Sequence, residues 1–419
     1  MIYRKTVLEN GLRVITEAWP HTEAASVGIW VRTGSRDERP EENGLSHFIE
    51  HLVFKGTRRR SALDIVREIE SVGGTINAFT AKEYTCFHAK VLDKDLPLAL
   101  DVLCDLLTEP LFDPVELEKE RMVILQEIKM ADDVPDDHIY DLFHRSFWGD
   151  HPLGLPIIGT KETVSSFSRE QIEGFFRRRY TPERMIVAAA GHIEHEEVVR
   201  EVEKRLGSIP PSDDHRPEPR AEGGKGGVGV EYRELEQVHL CLGVRGIPYA
   251  HPNRFAGYVL HTILGGNMSS RLFQEIREKR GLTYSVYSFM NSYRDSGVLG
   301  VYAGTTKEEL DEVIDLILRE LRRMKAGEIE EREVQVAKEY LKGNMVLALE
   351  SSDGRMSRLA KNEIYFGRHI PLEEALRELD RVDVERVLEA TREFFNASFN
   401  LVLLGSLKEE EVHLSETSL

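Results

Sequence analysis

The sequence predicts a protein of two related domains, each containing both strands and helices. Its 419 residues are enough for two domains or more. The two halves resemble each other at an offset of about 210 to 215 residues, which indicates domain duplication rather than a solenoid of short repeats. Strand-like alternation and helical periodicity both occur along the chain. We therefore expect a first domain over residues 1–208 and a homologous second domain over 229–419.

The first domain opens with a predicted β-hairpin. Residues 3–17 contain two strand patterns joined at Asn10-Gly11, and this dipeptide is a strong signal for a hairpin turn. Residues 25–33 alternate in the same way and predict a third strand. These strands place the start of the chain in a sheet.

Helices are predicted from their periodicity and their end signals. A helix that follows the polar loop 34–44 is expected to be capped by Asn43 or Ser46 and to end at Gly56. Asp113-Pro114 predicts the start of a long helix over 114–133. The remaining predicted elements of this half are helices over 61–72, 95–109, 136–147, 169–179 and 194–206, and strands over 75–80, 84–91 and 185–190.

Residues 209–228 are rich in proline, glycine and charge, and they are the best linker candidate in the chain. Two interpretations stay open for this segment. It acts as a hinge between the halves, or it is a plain connector.

Composition limits the protein's class. A net charge of −18 with 31% charged residues indicates an acidic, soluble protein, for which nucleic acid is a poor partner. The three cysteines form no C-x-x-C motif and predict buried hydrophobes in a reducing compartment. No apolar run approaches the roughly 18 residues of a membrane span, and no signal peptide begins the chain. We expect a cytoplasmic protein, unless a leader was removed.

The strongest chemical motif is His47-Phe48-Ile49-Glu50-His51. On a helix, residues three and four apart share a face, so His47, Glu50 and His51 lie on one side. Two neutral imidazoles one turn apart suit zinc, and a carboxylate between them can take a proton from water held by the metal. H-x-x-E-H is the inverzincin signature. The alternative is that these are ordinary structural histidines on a charged helix.

A third ligand has to come from elsewhere in the chain. The helix over 114–133 carries a stripe of carboxylates, Glu116, Glu120 and Glu127, although most such faces are merely solvated. The repeat separates these candidates, because Lys342 stands at the position of Glu127 in the second half and a cation cannot join a zinc site.

The same repeat shows that the second half has lost most of the motif. Gly257 replaces His47 and Leu260 replaces Glu50, while His261 remains and is expected to be structural.

Together, these residues resemble the M16 peptidase family, which includes pitrilysin, insulin-degrading enzyme and mitochondrial processing peptidase. The resemblance spans the whole chain and matches the family's two-domain branch. The separation from His51 to Glu127, 127 − 51 = 76, agrees with the family's H-x-x-E-H…E spacing. Further matching stretches are Glu120 to Glu127, Leu264 to Leu272 and Arg277 to Tyr284.

The resemblance implies roles for individual residues. It makes Glu127 the third zinc ligand and Glu50 the general base, with Glu120 orienting a ligand histidine. It also implies that Arg277 and Tyr284, from the domain without zinc, contact the substrate and the oxyanion. Without the family, Tyr284 would be interpreted as a core tyrosine.

The resemblance also implies an architecture. The fold is expected to be α+β, with two homologous domains of the LuxS/MPP-like metallohydrolase type, each an antiparallel-rich mixed sheet packed against helices. Asn77, Ala78 and Phe79 would lie on an edge strand that binds peptides by strand addition, or on an ordinary edge strand. Homodimers that enclose a chamber, with one Zn²⁺ per chain, are expected.

The expected function is a zinc metalloendopeptidase that cleaves unfolded peptides or small polypeptides in an enclosed chamber. The alternative is a non-catalytic M16-like assembly or peptide-binding subunit. Members of that kind lose parts of the pentad or the distal carboxylate, and this chain retains both. The net charge of −18 would favour basic peptides if it lines the chamber, and otherwise serves solubility.

Overall fold

The computed structural model describes residues 2–212, 220–396 and 398–412. The predicted linker over 209–228 thus lies partly outside the described residues. The strands are β1 (Ile2–Val7), β2 (Arg13–Ala18), β3 (Ala24–Val31), β4 (Thr75–Thr80), β5 (Thr85–Leu92), β6 (Met185–Gly191), β7 (Gly227–Tyr232), β8 (Val238–Gly246), β9 (Thr283–Ser292), β10 (Gly297–Thr305) and β11 (Asn400–Gly405).

The α-helices follow the periodic segments of the sequence, and one π-helix, Phe273–Glu278, joins them. They are α1 (Leu45–Val53), α2 (Ala62–Glu70), α3 (Leu96–Thr108), α4 (Pro114–Asp133), α5 (Pro135–Trp148), α6 (Lys161–Ser166), α7 (Arg169–Arg179), α8 (His195–Leu206), α9 (Arg254–Leu264), α10 (Leu310–Lys325), α11 (Glu331–Ala348), α12 (Ser352–Phe366), α13 (Leu372–Asp380) and α14 (Val384–Phe394).

The chain forms two compact units, and neither is a continuous stretch of sequence. The first comprises Met1–Met130, Leu155–Glu218 and Leu347–His369, and the second comprises Ala131–Gly154, Pro219–Val346 and Ile370–Leu419. This differs from the contiguous domains predicted over 1–208 and 229–419. The reason is that α5 packs on the sheet of the second unit, and α12 packs on the sheet of the first.

The first unit contains a six-stranded sheet in the order β1-β2-β6-β3-β5-β4. All its neighbouring pairs are antiparallel except β2 and β6, which are parallel. One face of this sheet packs against α1 and α3 in the main hydrophobic core, which includes Phe48, Ile49 and Leu103. The helix with the histidine motif is therefore anchored by its apolar side.

The opposite face of that sheet is covered by α12. Met356, Leu359 and Ala360 of this helix pack against Trp30 and Ile186. At the start of α12, Ser26 Oγ donates to an Asp353 oxygen at 2.7 Å and Lys90 pairs with Asp353 at 2.9 Å. The sheet thus buries both faces only because a helix from late in the sequence returns to it.

The second unit repeats this arrangement with five strands in the order β7-β11-β8-β10-β9. Strands β7 and β11 are parallel, and the other neighbouring pairs are antiparallel. Helix α5 packs on this sheet through Ile139, Phe143 and Phe147. The predicted α+β architecture, with two related units of mixed sheet and helix, is confirmed.

Most local predictions for the first half are confirmed to within a few residues. The hairpin turns at Asn10-Gly11, and α4 and α7 begin and end where their sequence signals predicted. Cys86, Cys104 and Cys241 are buried and free of disulfides. Among the described residues, no helix is both long and apolar enough to cross a lipid bilayer.

Candidate metal centre

Helix α1 is capped by Glu38, and not by Asn43 or Ser46, the two caps that the sequence predicted. Gly44 precedes the helix with φ of +100°, a conformation that side chains disfavour, and no side chain of Gly44 can cap it. The buried Glu38 carboxylate instead accepts hydrogen bonds from the backbone N–H groups of Gly44 at 2.8 Å and Ser46 at 2.7 Å. The predicted caps were wrong, because Ser46 lies inside the helix and the Asn43 amide donates to Glu38 and to the Pro156 carbonyl.

The Glu38 carboxyl group thus lies at a helix N-terminus, where its charged form interacts favourably with the helix dipole. Burial raises the pKa of Glu38 to about 7, although the hydrogen bonds from Ser46 and Gly44 act in the opposite direction. An acidic residue in the loop before the motif was visible in the sequence. Its distance of six to eight residues from the groups that it caps placed it outside the local capping rules.

The structure brings His47, His51 and Glu127 together. One donor atom from each of the three lies within 4.8 Å of the others, and among the described residues this is the one group of three or more His, Cys, Asp or Glu side chains arranged in this way. Both His47 Nε2 and His51 Nε2 lie 3.7 Å from Glu127 Oε2. The predicted ligands therefore converge, although they come from α1 and from α4.

The donor set fits a zinc ion. Zinc bonds to nitrogen and oxygen are about 2.0–2.2 Å long, so two ligands of a tetrahedral ion lie about 3.4 Å apart. The observed separations of 3.7 Å are close to that value. Two imidazoles and one carboxylate are also the number and type of ligands found in catalytic zinc sites.

Glu120 contacts one of these histidines, and the orienting role that the resemblance implied stays a prediction. Its Oε2 lies 3.1 Å from His51 Nδ1, and its Oε1 lies 2.8 Å from Lys55 Nζ. A carboxylate in this position can accept a hydrogen bond from Nδ1–H, and in that tautomer Nε2 is the ring nitrogen available to bind a metal. The sequence did not single out Lys55, which stands one helical turn beyond His51.

His47 is held neutral. Burial lowers its pKa to about 4, and the neighbouring His51 adds to this effect. Among the described residues, its buried Nδ1 atom has no hydrogen-bond partner. A neutral imidazole is the form that binds zinc.

Glu50 is not part of the donor set, but it lies close enough for the charges of His51 and Glu127 to act on its carboxylate. Its Oε2 atom accepts a hydrogen bond from Thr80 Oγ1 at 2.6 Å. Burial raises the pKa of Glu50, and the hydrogen bond from Thr80 opposes that rise. The sequence predicted Thr80 only as the end of the strand over 75–80, and nothing in the sequence indicated its contact with Glu50.

The predicted substrate strand is β4, which lies at one edge of the first sheet. Asn77 and Phe79 are exposed and Ala78 is half-buried on it. The backbone N–H of Ala78 donates to Asn77 Oδ1 at 2.8 Å. The edge position agrees with the prediction, and the peptide-binding role of Asn77, Ala78 and Phe79 stays a prediction.

Arg277 and Tyr284 lie in the second unit, where the structure places them side by side. The Arg277 guanidinium is 5.1 Å from the centre of the Tyr284 ring and 4.6 Å from the Phe273 ring. Tyr284 is 81% exposed. This exposure excludes the alternative of a core tyrosine and leaves the phenol accessible.

The second unit has no equivalent donor set among its described residues. His261 Nδ1 lies 2.7 Å from Ser288 Oγ, and burial lowers the His261 pKa to about 4. Lys342 pairs with Asp380 at 2.5 Å. A side chain at Gly257 would meet Ile247 at 3.2 Å, so apolar atoms occupy the space that a second imidazole would need.

Comparison with known proteins gives one consistent family. Residues 13–161 match the family described as Insulinase (Peptidase family M16), and residues 166–341 match the one described as Peptidase M16 inactive domain. An uncharacterized zinc protease of Bacillus subtilis is 42% identical over 409 residues, which cover 97% of this chain and 98% of that protein. An uncharacterized zinc protease of Mycobacterium leprae is 44% identical over 405 residues, covering 96% of this chain and 91% of that protein.

Two solved structures show the same fold. A protease from Helicobacter pylori has a TM-score of 0.90 at 23% identity, covering 96% of this chain and 99% of that one. A structure from Pseudomonas fluorescens, described as a peptidase M16 inactive domain, has a TM-score of 0.91 at 19% identity, covering 97% and 99%.

Proposed function

The chain belongs to the M16 peptidase family, and on this premise we propose that it is a zinc metalloendopeptidase that hydrolyses unfolded peptides. Its curated relatives are named zinc proteases, which supports a metallopeptidase. The proposal of an endopeptidase mechanism rests on the convergence of His47, His51 and Glu127. The nearby Glu50 carboxylate is not one of these three donors.

His47, His51 and Glu127 would hold one zinc ion per chain. When bound, zinc polarises a peptide carbonyl and makes water acidic enough to react near neutral pH. Glu120 and Lys55 keep His51 in the tautomer that presents Nε2, and burial keeps His47 unprotonated.

Glu50 is proposed as the general base. Its carboxylate accepts a proton from the attacking water and passes a proton to the leaving amine. A carboxylate that loses part of its hydration on burial is a stronger proton acceptor, which suits this role. Such proton transfer contributes about 10²- to 10⁴-fold to rates.

Arg277 and Tyr284 are proposed to contact the substrate. The exposed Tyr284 phenol can donate a hydrogen bond to the oxyanion that develops at the scissile carbonyl, and one such donor contributes about 3 kcal/mol. Strand β4 would pair with the peptide backbone through Asn77 to Phe79, which binds peptides with little dependence on their sequence.

We further propose that two chains associate as a homodimer around a chamber and that the protein is cytoplasmic. The homodimer rests on the family resemblance, and size-exclusion chromatography with light scattering measures it. The location rests on composition and on the three free cysteines, which fit a reducing compartment. The alternative function, a non-catalytic subunit, is disfavoured because the first unit retains every member of the donor set. The match to an inactive domain covers residues 166–341, outside the residues that form this donor set.

The decisive experiment replaces Glu50 with Gln. We expect Glu50→Gln to keep zinc, measured by elemental analysis, and to lower cleavage of a quenched random-peptide library by about 10²- to 10⁴-fold. A chelator should abolish cleavage by the unsubstituted protein. Glu116→Gln is the matched control, because Glu116 pairs with Lys119 on the exposed part of α4. Cleavage by Glu50→Gln at the unsubstituted rate would reject the mechanism.

A further inference from the structure

Thr80 connects two parts of the first unit that sequence analysis treated separately. Its hydroxyl donates to Glu50 Oε2 at 2.6 Å, an ordinary length for a hydroxyl hydrogen bond to a carboxylate oxygen. Thr80 is also the last residue of β4, the edge strand. One side chain therefore joins the carboxylate on α1 to the strand expected to hold the peptide.

The direction of the Thr80 side chain follows from the strand pattern. Along β4, Ile76, Ala78 and Thr80 are half-buried, while the alternate residues are exposed. Ile76 and Ala78 pack against the main core, which also contains the apolar side of α1. Thr80 continues this inner row, so its hydroxyl reaches Glu50 without any change of the backbone.

The hydrogen bond leaves the two oxygens of Glu50 in different environments. Oε2 accepts from the Thr80 hydroxyl and Oε1 accepts from no side chain of the described residues, while the backbone N–H of Thr80 also favours the charged form of the carboxylate. A carboxylate that is fixed by a hydrogen bond at one oxygen can turn only about that contact, which limits the directions from which it can accept a proton.

We propose that Thr80 is a positioning residue, whose hydroxyl holds Glu50 by Oε2 so that Oε1 faces the attacking water, and that it ties the base to the peptide-binding strand. This inference rests on the proposed function of Glu50. Thr80 does not react, and its contribution is the orientation of a group that does. A peptide that pairs with β4 restrains the backbone that carries Thr80 and so steadies the base.

The test compares Thr80→Val with Thr80→Ser in the cleavage of a quenched fluorescent peptide by the zinc-loaded full chain. Valine keeps the branched shape and removes the hydroxyl, while serine keeps the hydroxyl. Hydrogen bonds to charged groups correspond to roughly 10- to 100-fold in rate. We therefore expect kcat of Thr80→Val to fall about 10- to 100-fold with KM within about threefold, and kcat of Thr80→Ser to stay within about threefold of the unsubstituted protein.

Thr6→Val is the matched control. Thr6 lies on β1, the opposite edge of the same sheet, and its hydroxyl lies 2.8 Å from His195 Nε2. Thr6→Val also removes a threonine hydroxyl from an edge strand, but at the edge opposite β4, so its kcat should equal that of the unsubstituted protein. Zinc content and thermal midpoint are measured for every variant, and both should match the unsubstituted protein.

Three results would overturn the inference. These are an unchanged kcat in Thr80→Val, a Thr80→Ser variant as slow as Thr80→Val, or a loss of kcat that accompanies lost zinc or a lower thermal midpoint. Glu50→Gln in the same assay separates the two proposals. If Glu50→Gln is inactive and Thr80→Val is fully active, only the role of Thr80 fails, whereas an active Glu50→Gln removes the base itself.

A crystal structure of Thr80→Val gives a readout that does not depend on activity. We expect the Glu50 carboxylate to turn away from the β4 side and to lose its fixed position. An unchanged, well-ordered carboxylate would show that the protein does not need Thr80 to position it.

Discussion

The two units contain nearly the same sheet, yet only one of them holds a donor set. Without its edge strand β1, the first sheet has the order β2-β6-β3-β5-β4, and the second sheet has the order β7-β11-β8-β10-β9. Strands at the same place in the two orders have the same relative directions. In the first unit, α1 and α4 place His47, His51 and Glu127 together. In the second, the corresponding α9 and α11 carry Gly257, His261 and Lys342, and no such group forms among the described residues. The fold thus positions a site without requiring one.

The loss in the second unit is a replacement rather than an empty space. Apolar atoms of Ile247 and Phe394 approach the position of Gly257, and Leu260 is fully buried. Lys342 forms an ion pair with Asp380. Where the first unit has three donor atoms within 4.8 Å of one another, the second has packing and ion pairs that stabilise the unit itself.

The largest expected effect concerns α12, the helix from late in the sequence that covers the sheet of the first unit. A fragment that ends at residue 208 contains every strand of the first sheet but lacks α12, which covers Trp30 and Ile186. Burial of a large apolar side chain stabilises by about 1.5–3 kcal/mol, and several such contacts would be lost together. We expect this fragment to be aggregated or partly unfolded, measured by size-exclusion chromatography and circular dichroism.

A peptide of residues 347–369, added in trans, should restore a folded, soluble species. A peptide of the same composition in scrambled order is the control. A fragment over 1–208 that unfolds cooperatively without the peptide would show that each half is an independent domain, as the sequence prediction had assumed.

The second expected effect tests the two related histidines directly. His51→Ala removes a donor atom from the set, so zinc affinity should fall by more than the roughly 10- to 100-fold that the loss of a supporting residue causes. His261→Ala, at the related position of the second unit, should leave zinc affinity within about threefold, because His261 contacts Ser288 instead. Competition with a chromophoric chelator measures both affinities. Equal losses in the two variants would contradict the assignment of the site to one unit.

Local sequence patterns predicted the elements of the first half well and their partners less well. Asn10-Gly11 and Asp113-Pro114 are signals within a few residues of the feature that they specify, and the structure contains both. Periodicity shows which face of α5 or α12 is apolar, but it cannot show which sheet that face covers. The exchange of these helices between the halves therefore could not be predicted.

The candidate site shows the same limit. The spacing of His47, Glu50 and His51 depends only on helix geometry, and the internal repeat and the family resemblance together indicated Glu127. Glu38, Lys55 and Thr80 act through contacts that the tertiary fold creates, across 30 residues in the case of Thr80 and Glu50. No local rule connects Thr80 to Glu50, because their contact depends on how β4 packs against α1.

The smallest expected effect concerns the pH dependence of stability in the metal-free protein. Burial holds the pKa of His261 at about 4, below its ordinary value of 6.5. Between these two values the unfolded chain binds a proton that the folded chain does not, so the free energy of unfolding falls as the pH drops from 6.5 toward 4. Above pH 6.5 the histidine is neutral in both states and this loss is absent. The expected contribution between pH 7 and pH 5 is about 2 kcal/mol.

Replacement of His261 by Asn tests this, because Asn keeps a polar atom near Ser288 and does not titrate. Denaturant unfolding with chelator present, at pH 7 and pH 5, should show a smaller loss of stability in His261→Asn than in the unsubstituted protein. The exposed His21→Asn is the control and should show the unsubstituted loss. His47 in the first unit has the same lowered pKa, so part of the pH dependence should survive in His261→Asn and become smaller again when both are replaced. Burial also lowers the pKa of His88, His195 and His239, so some pH dependence should remain in the double variant. An identical pH dependence in His261→Asn and the unsubstituted protein would mean that the buried histidine of the second unit is not held neutral. The contrast between a histidine kept neutral to bind a metal and one kept neutral by packing alone would then fail.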